Sequence, residues 1–238
     1  MQDGAELAVK KVLGPILDHM RDLVGRFVDK GLLEFTYVHT LLWEYAQEVT
    51  APPGSAAHIT DLVTQLCDAA PKLMSTKPGA RVVCVVCTHS TAKERKLLIK
   101  SLKGKVLESV LHPSAHLAVL RLVDVTDDTV NIQKSLLDEI CGTAAVTKYT
   151  AGGQVVGTPY PPFVSIAHHY FGRKLLLRLL APHKRHLEPD EEALFVDGAA
   201  TASKKSSDSR RLEHLAYIRH NLGTDCCKHC TDSCTALH

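Results

Sequence analysis

Apolar residues recur along this chain at the three- and four-residue spacing that is typical of helices with one buried face. A Pro-Pro-Gly break at 52–54 separates the second of these patterns from the third. β-Branched runs such as Val82-Val83 lie inside helical patterns, so we expect no sheet. The pattern predicts an all-α fold, with helices over 7–27, 32–49, 59–73, 81–87, 92–102, 106–111, 116–123 and 129–140.

Three segments resemble one another and indicate an internal repeat. Each has a polar lead-in, a small residue, two further positions and then an aliphatic run. Gly79 and Ala115, the small residues of the first two segments, lie 36 positions apart, which is typical of helical repeat arrays. The sequence therefore predicts an α-solenoid, whose function depends on recurring surfaces more than on a single catalytic pocket. The segments are residues 77–83, 112–119 and 169–176.

The predicted organisation has three parts. Helical repeats occupy residues 1–187, interrupted by an irregular surface loop at about 141–163 that is rich in Gly, Pro and Thr. Residues 188–211 are predicted to form a polar, basic linker. A Cys- and His-rich tail at 212–238 follows neither pattern, and we expect it to be disordered.

Composition narrows the possible functions. The 238 residues are 45% hydrophobic with a formal net charge of +2, so nucleic-acid binding has to depend on where the cations cluster. No apolar run approaches the roughly 18 residues that cross a bilayer, so we expect no membrane partner, and the N-terminus lacks a secretion pattern. The eight cysteines do not form a disulfide framework and favour a reducing compartment.

Four segments in register resemble the Puf-A/Penguin branch of the Pumilio-like proteins. They are Gly31–His39, Gly79–Val82, Lys93–Lys100 and Phe171–Leu177. The resemblance runs from about residue 17 to residue 211 and matches the region where divergent Puf repeats pass into the Penguin-like C-terminal domain. It implies an α-helical superhelix, RNA binding with little base specificity, a role in ribosome assembly, and a nucleolar or nuclear location. Chains of this family are much longer, so we expect this one to be a fragment or a truncated form.

In Puf repeats that read a sequence, three side chains on the second helix of each unit face one base. The equivalent positions here hold no Asn or Gln paired with an aromatic stacker, so we expect no base code. They are 39, 40 and 43; 80, 81 and 84; 116, 117 and 120; and 173, 174 and 177. The basic side chains among them suit phosphate, although they also fit solvated positions at the start of a helix. The predicted RNA contacts on these helices are Arg81, His116, Arg173, Lys174 and Arg178.

The densest basic run lies within residues 93–105. At helical spacing Lys93, Lys96 and Lys100 share one face, and Lys103 follows them. This pattern predicts a sequence-independent RNA patch whose affinity falls with salt. The alternative is the solvated face of an ordinary amphipathic helix.

Metal binding and catalysis have little support in the sequence. Cys84 and Cys87 have the spacing of a redox pair, but they lie within a helical pattern and are interpreted as buried structural cysteines. The tail offers one hypothetical zinc set: Cys227, Cys230, Cys234 and His238. Because no two ligand pairs flank a small fold, an unstructured tail is the preferred interpretation, and we expect no cofactor. No nucleophile–base set accompanies the histidines, so we expect no enzyme.

Two functional hypotheses follow. The first is an RNA-binding ribosome-biogenesis factor that contacts pre-rRNA through its phosphate backbone. The second is a protein-interaction scaffold that binds other ribosome-assembly proteins of the nucleolus and touches RNA little.

Overall fold

Helices begin where the sequence supplies a cap. In the computed structural model, the Thr76 hydroxyl accepts from the Gly79 N–H at 3.1 Å, and the Asp128 carboxylate accepts from the Asn131 N–H at 3.2 Å. Thr91 and Glu94 form a reciprocal capping box. The Thr76 cap places the start of its helix at residue 77, upstream of the apolar pattern that begins at 81, because a cap and the first turn are polar. The helices capped by Thr91 and Asp128 begin at the predicted residues, 92 and 129.

The structure describes residues 2–51, 55–142, 149–151, 154–156, 161–180, 186–195 and 204–235, without the side chains of 2–12, 149–156 and 223–235. The α-helices within these ranges are α1 (Gln2–Asp29), α2 (Thr36–Thr50), α3 (Ala56–Leu66), α4 (Ala70–Leu73), α5 (Lys77–His89), α6 (Ala92–Leu102), α7 (Val106–Leu111), α8 (Ala115–Val125), α9 (Thr129–Ile132), α10 (Asp138–Cys141), α11 (Pro162–His168), α12 (Gly172–Leu180), α13 (Pro189–Glu192) and α14 (Ser207–Thr235). A π-helical segment, Gln133–Leu137, joins α9 to α10, and 3₁₀ turns lie at Leu32–Glu34 and Ala193–Phe195.

Helices α2, α5, α8 and α12 pack one after another and form what we call the stacked row. α8 lies at its centre, with every residue from 115 to 123 buried. Such a helix has neighbours on all sides: α5, α7, α12 and α14 each pack against it. The predicted all-α fold is therefore confirmed, and its core follows the row.

The row depends on close backbone contact where its helices begin. A Cβ atom at Gly79 would overlap the carbonyl oxygen of Leu73, and one at Gly172 would lie 2.8 Å from the carbonyl oxygen of Ile166. Only glycine permits these approaches, which explains the small residues of the first and third repeated segments; the second has Ala115 instead.

The predicted loop at 141–163 contains regular structure. Helix α10 ends at Cys141 and α11 begins at Pro162. Between them, strands β1 (Tyr149–Ala151) and β2 (Gln154–Val156) form a two-stranded antiparallel hairpin that pairs Thr150 with Val155. The expectation of no sheet is therefore wrong at this point, because a pairing of three residues per strand is too short to give a hydropathy pattern.

The predicted linker and disordered tail need correction. Residues 189–195 form α13 and a 3₁₀ turn, and α14 runs through most of the predicted tail. Arg210, His214 and Ile218 lie four residues apart and form the buried face of α14. Two polar side chains at buried positions disguised this face in the sequence, whereas the spacing of Leu215, Ile218 and Leu222 was its available signal.

Replacing Gly79 with Ala is expected to destabilise the fold by about 3 kcal/mol, since a Cβ atom meets rigid backbone there. The melting temperature should fall by roughly 6 to 12 °C for a domain of this size. Thermal unfolding followed by circular dichroism measures the change.

The matched control is Gly25→Ala in α1, where the nearest atom, Gln65 Oε1, lies 4.0 Å from the added Cβ. This control should stabilise the protein by up to about 1 kcal/mol, because alanine favours a helix interior. Equal effects of the two substitutions would contradict the close-contact account.

Candidate nucleic-acid interface

Helix α6 presents lysines to solvent because its other face is anchored in the core. Arg95, Leu98, Ile99 and Leu102 are buried. Lys93, Lys96, Lys100 and the C-cap residue Lys103 are all exposed. The structure therefore exposes all four predicted lysines, while Arg95, in the middle of the same run, is a core residue.

A fourth lysine joins three of these side chains from another element. Lys96, Lys100 and Lys103 line an open groove of about 570 Å³ together with Lys134, which lies on the π-helical segment. We call this set of four lysines the lysine groove. Its one acidic lining residue is Asp128, 3.7 Å from the Lys96 ammonium. Lys134 was missed from the sequence because nothing there places its segment beside α6.

The basic residues of the stacked row have a different environment. Residues 188–195, which contain Glu188, Asp190, Glu191 and Glu192 and which we call the acidic strap, lie across the row. Asp190 pairs with Arg81 and, at 3.0 Å, with Lys77, both on α5. The hydrogen bond from Lys77 holds the pKa of Asp190 below its usual value.

The next two carboxylates of the strap reach α12. Glu191 accepts a 3.0 Å hydrogen bond from Lys174, and both side chains are more than nine-tenths buried. Burial favours the neutral form of Glu191, but the Glu188 backbone N–H and the Lys174 ammonium outweigh it and lower the pKa. Arg178 contacts Glu192 at 3.5 Å and also donates to Asp124 at 2.9 Å.

An aromatic residue closes the end of the strap. The Phe195 ring centroid lies 4.8 Å from the guanidinium carbon of Arg178 and 5.7 Å from that of Arg121. These distances allow cation–π contact. Arg81 makes a similar contact with Trp43, at 5.5 Å.

The prediction that His116 contacts RNA does not fit its position. Its side chain is fully buried, and its ring packs on Phe171 with the centroids 5.0 Å apart. Burial, reinforced by nearby Lys174, lowers its pKa to about 4, so the ring is neutral at pH 7. It lies beneath the Lys174–Glu191 pair and is not a surface cation.

The predicted base-facing positions are also shifted in register. Ala80 and Cys84 are buried, as are Leu117 and Leu120, and His39 is bonded to Thr76 and to the Leu33 carbonyl at 2.7 Å each. The partly exposed face of α5 instead runs through residues 77, 81, 85 and 88. A three-position motif read from one glycine cannot resolve a rotation of one residue, about 100° around a helix.

Arg173 is the one predicted contact on the stacked row that is exposed and has no ion pair within the described part of the chain. Its guanidinium carbon lies 5.4 Å from the ring centroid of Tyr170, which is itself 52% exposed. Sequence reasoning missed Tyr170, which directly precedes Phe171–Leu177, one of the four segments that carry the family resemblance.

The cysteines of the described core are inert thiols. Burial raises the pKa of Cys87 to about 12 and that of Cys84 well above its usual value. These thiols do not ionise near neutral pH, which fits structural cysteines better than a redox pair.

Among the described residues no cluster of His, Cys, Asp or Glu has metal-binding geometry. The hypothetical zinc set lies outside the described side chains, and His238 lies outside the described residues altogether. None of the helices described combines the length and apolar character that a membrane crossing requires.

These features define a helical-repeat protein with cations on two surfaces, one open and one covered by carboxylates. No family model matches the sequence. The chain is similar to Pumilio homolog 3 of Rattus norvegicus, 28% identical over 206 residues, which are 85% of this chain and 28% of that protein. It is also similar to Protein penguin of Drosophila melanogaster, 24% identical over 203 residues, which are 85% of this chain and 25% of that one.

Solved structures show the same similarity. The crystal structure of human Puf-A aligns with a TM-score of 0.76 and 24% identity over 98% of this chain and 41% of that one. The crystal structure of human Puf-A in complex with DNA aligns with a TM-score of 0.73 and 25% identity over 94% of this chain and 41% of that one. The resemblance to Puf-A and Penguin, and with it the solenoid of Pumilio-type repeats, is confirmed. The chain spans about a quarter of the length of these curated relatives.

Substituting Glu191 with Gln is expected to destabilise the protein by about 3 to 5 kcal/mol at pH 7, because it leaves the buried Lys174 ammonium without its counter-charge. The lowered pKa of Glu191 means that its ionised form stabilises the fold above the unfolded value of about 4.3. This stabilisation is lost as the pH falls through the lower, folded-state pKa. The difference between variant and wild type, measured by urea unfolding, should therefore shrink between pH 7 and pH 3.

Glu108→Gln is the matched control, since Glu108 is exposed and lies on α7, away from the strap. It should change the free energy of unfolding by less than about 0.5 kcal/mol. A Glu191→Gln effect as small as the control at pH 7 would show that the buried pair does not form.

Proposed function

We propose that this chain binds RNA through the phosphate backbone, with little sequence specificity, at the lysine groove. The observation that carries the proposal is the convergence of Lys96, Lys100, Lys103 and Lys134 from two elements on one open surface. Phosphate contacts of this kind position a nucleic acid without reading its bases. The activity is binding and needs neither a catalytic residue nor a cofactor.

The groove is favoured over the stacked row because of the state of its cations. Arg81, Lys174 and Arg178 are already paired with carboxylates, whereas in the groove only Lys96 has an acidic neighbour within 4 Å among the described residues. Lysines are also compact charges suited to phosphate at variable geometry. The structure of human Puf-A with DNA supports nucleic-acid binding by a protein of this fold.

The biological setting is part of the same proposal and depends on the resemblance to Puf-A and Penguin. We infer that the RNA is pre-rRNA, that the process is ribosome biogenesis, and that the protein works in the nucleolus and nucleus, beside ribosome-assembly proteins.

The rival function, a protein scaffold, has one observation in its favour. Phe35 and Tyr37 are 49% and 63% exposed, and their rings stack with centroids 5.7 Å apart. An exposed aromatic pair is typical of a protein contact. Such a contact would tolerate salt, whereas phosphate binding would not.

The triple variant Lys96→Ala, Lys100→Ala, Lys103→Ala should weaken binding to single-stranded RNA on the order of tenfold at 0.1 M salt and lower the slope of log affinity against log salt by about 2. Each lysine that contacts a phosphate releases counterions from the RNA, so a variant without three of these lysines releases fewer counterions on binding. Fluorescence anisotropy over a salt series, with two unrelated RNA sequences and one duplex, measures both quantities.

The matched control removes three cations elsewhere: Arg26→Ala, Lys30→Ala and Lys72→Ala on α1, the residue after it, and α4. These residues are exposed, as are the three lysines of the first variant. Each variant removes three positive charges, so the net charge changes equally in the two. Equal losses of RNA affinity in both variants would show that the lysine groove is not the RNA site. No binding by folded wild-type chain at low salt would favour the scaffold.

A further inference from the structure

The acidic strap lays a series of carboxylates over the cations of the stacked row. Consecutive carboxylates pair with cations of different helices: Asp190 with Arg81 on α5, and Glu191 and Glu192 with Lys174 and Arg178 on α12. A phosphodiester also carries one negative charge per unit and accepts hydrogen bonds from the same ammonium and guanidinium donors. The strap thus supplies in cis the charges that a strand would supply in trans.

The aromatic end of the strap completes this correspondence. Phe195 stacks on the guanidinium groups of Arg121 and Arg178. Arginine planes and aromatic rings are also the surfaces on which unstacked bases lie in single-stranded complexes. A nucleotide likewise combines a negative charge with an aromatic ring. A segment that only capped a helix with its carboxylates would not need the Phe195 ring.

The surface beneath the strap contains buried polar side chains. Arg121 is 1% exposed and donates to the Thr88 hydroxyl at 2.9 Å. His116 is fully buried, and its Nε2 has no hydrogen-bond partner in the described part of the structure. A permanent core contact favours apolar residues here, since buried polar groups are costly unless paired.

Most contacts of the strap are weak enough for the phosphates of an RNA strand to replace its carboxylates. Asp190 is 48% exposed on its side chain, and exposed ion pairs contribute about 0 to 1 kcal/mol each. Only Glu191 is held by a buried pair. Lys174 needs a counter-charge to stay buried, and a phosphate serves as well as a carboxylate.

We infer that the strap is an intramolecular substitute for a single-stranded RNA backbone, which masks a second RNA-binding surface formed by Arg81, Lys174 and Arg178 until a strand displaces it. This inference rests on the proposed function, in that both assign RNA as the ligand, but it concerns a different surface and different residues. Binding at the lysine groove alone leaves the strap in place.

The test neutralises the strap without shortening it. The variant Asp190→Asn, Glu191→Gln, Glu192→Gln should bind single-stranded RNA on the order of tenfold more tightly than wild type at 0.1 M salt. Its salt slope should steepen by about 2, since three cations gain phosphate partners. Anisotropy over a salt series and a thermal melt are recorded for every variant.

Two further variants keep the result decisive. Asp190→Asn, Glu192→Gln retains the buried Lys174–Glu191 pair, so its gain in affinity should be smaller but present if the triple variant does not fold. The charge-matched control Asp29→Asn, Asp68→Asn, Glu108→Gln removes three exposed carboxylates outside the strap. If the strap variants bind no more tightly than this control, the inference is wrong.

The single tryptophan offers a direct readout of displacement. Trp43 lines a groove of about 430 Å³ with the strap residues Asp190, Ala193 and Leu194. Single-stranded RNA that displaces the strap should change the emission of Trp43 in wild type. Saturating RNA without such a change would place all binding outside the row and overturn the inference.

The outcomes also separate the two proposals. Loss of binding in the lysine-groove variant, with strap variants equal to their control, leaves the proposed function standing and removes the strap inference. Tighter binding by the strap variants, together with unchanged binding by the lysine-groove variant, supports the strap inference and removes the lysine groove as the RNA site. If no folded variant binds RNA, both are wrong.

Discussion

The stacked row depends on backbone contact that only a residue without a side chain permits. The start of α5 touches the end of α4 at Gly79, and the start of α12 touches the end of α11 at Gly172. Each contact sets how far one helix can slide against the preceding element, and so sets the direction of the next helix in the row. The cations Arg81 of α5 and Lys174 of α12 then lie at a separation that one short acidic segment spans.

The basic run of α6 serves two purposes, and burial separates them. Arg95 donates to the carbonyl oxygens of Cys87, Thr88 and Val125 at 2.8 to 3.2 Å, and so satisfies the free C-terminal carbonyls of α5 and α8. Its neighbour Lys96 on the same helix points to solvent. A single basic run therefore stabilises the core with one residue and forms the lysine groove with others.

The sequence predicted what local periodicity and short motifs determine. The helical fold, the repeat, the breaks near residues 52 and 141 and the exposed lysines of α6 all follow from patterns within one or two helices. What remained out of reach depends on contacts between distant segments. Lys174 and Glu191 lie 17 positions apart and Arg81 and Asp190 lie 109 apart, so no window joins them. The hidden face of α14 was missed because polar residues occupy buried positions there. The register of the row helices was missed because a motif read from one glycine leaves a rotation of one residue unresolved.

Net charge conceals this arrangement. The chain has 28 basic and 26 acidic residues, which gives a value close to neutrality. Four of the acidic residues fall within 188–192, and three of them, Asp190, Glu191 and Glu192, pair with cations of the row, so there opposite charges cancel at contact distance. On α6 the lysines of the groove have few acidic neighbours, so their field reaches solvent. Two surfaces with similar cations thus differ in what they offer a polyanion, and the difference comes from the placement of one eight-residue segment.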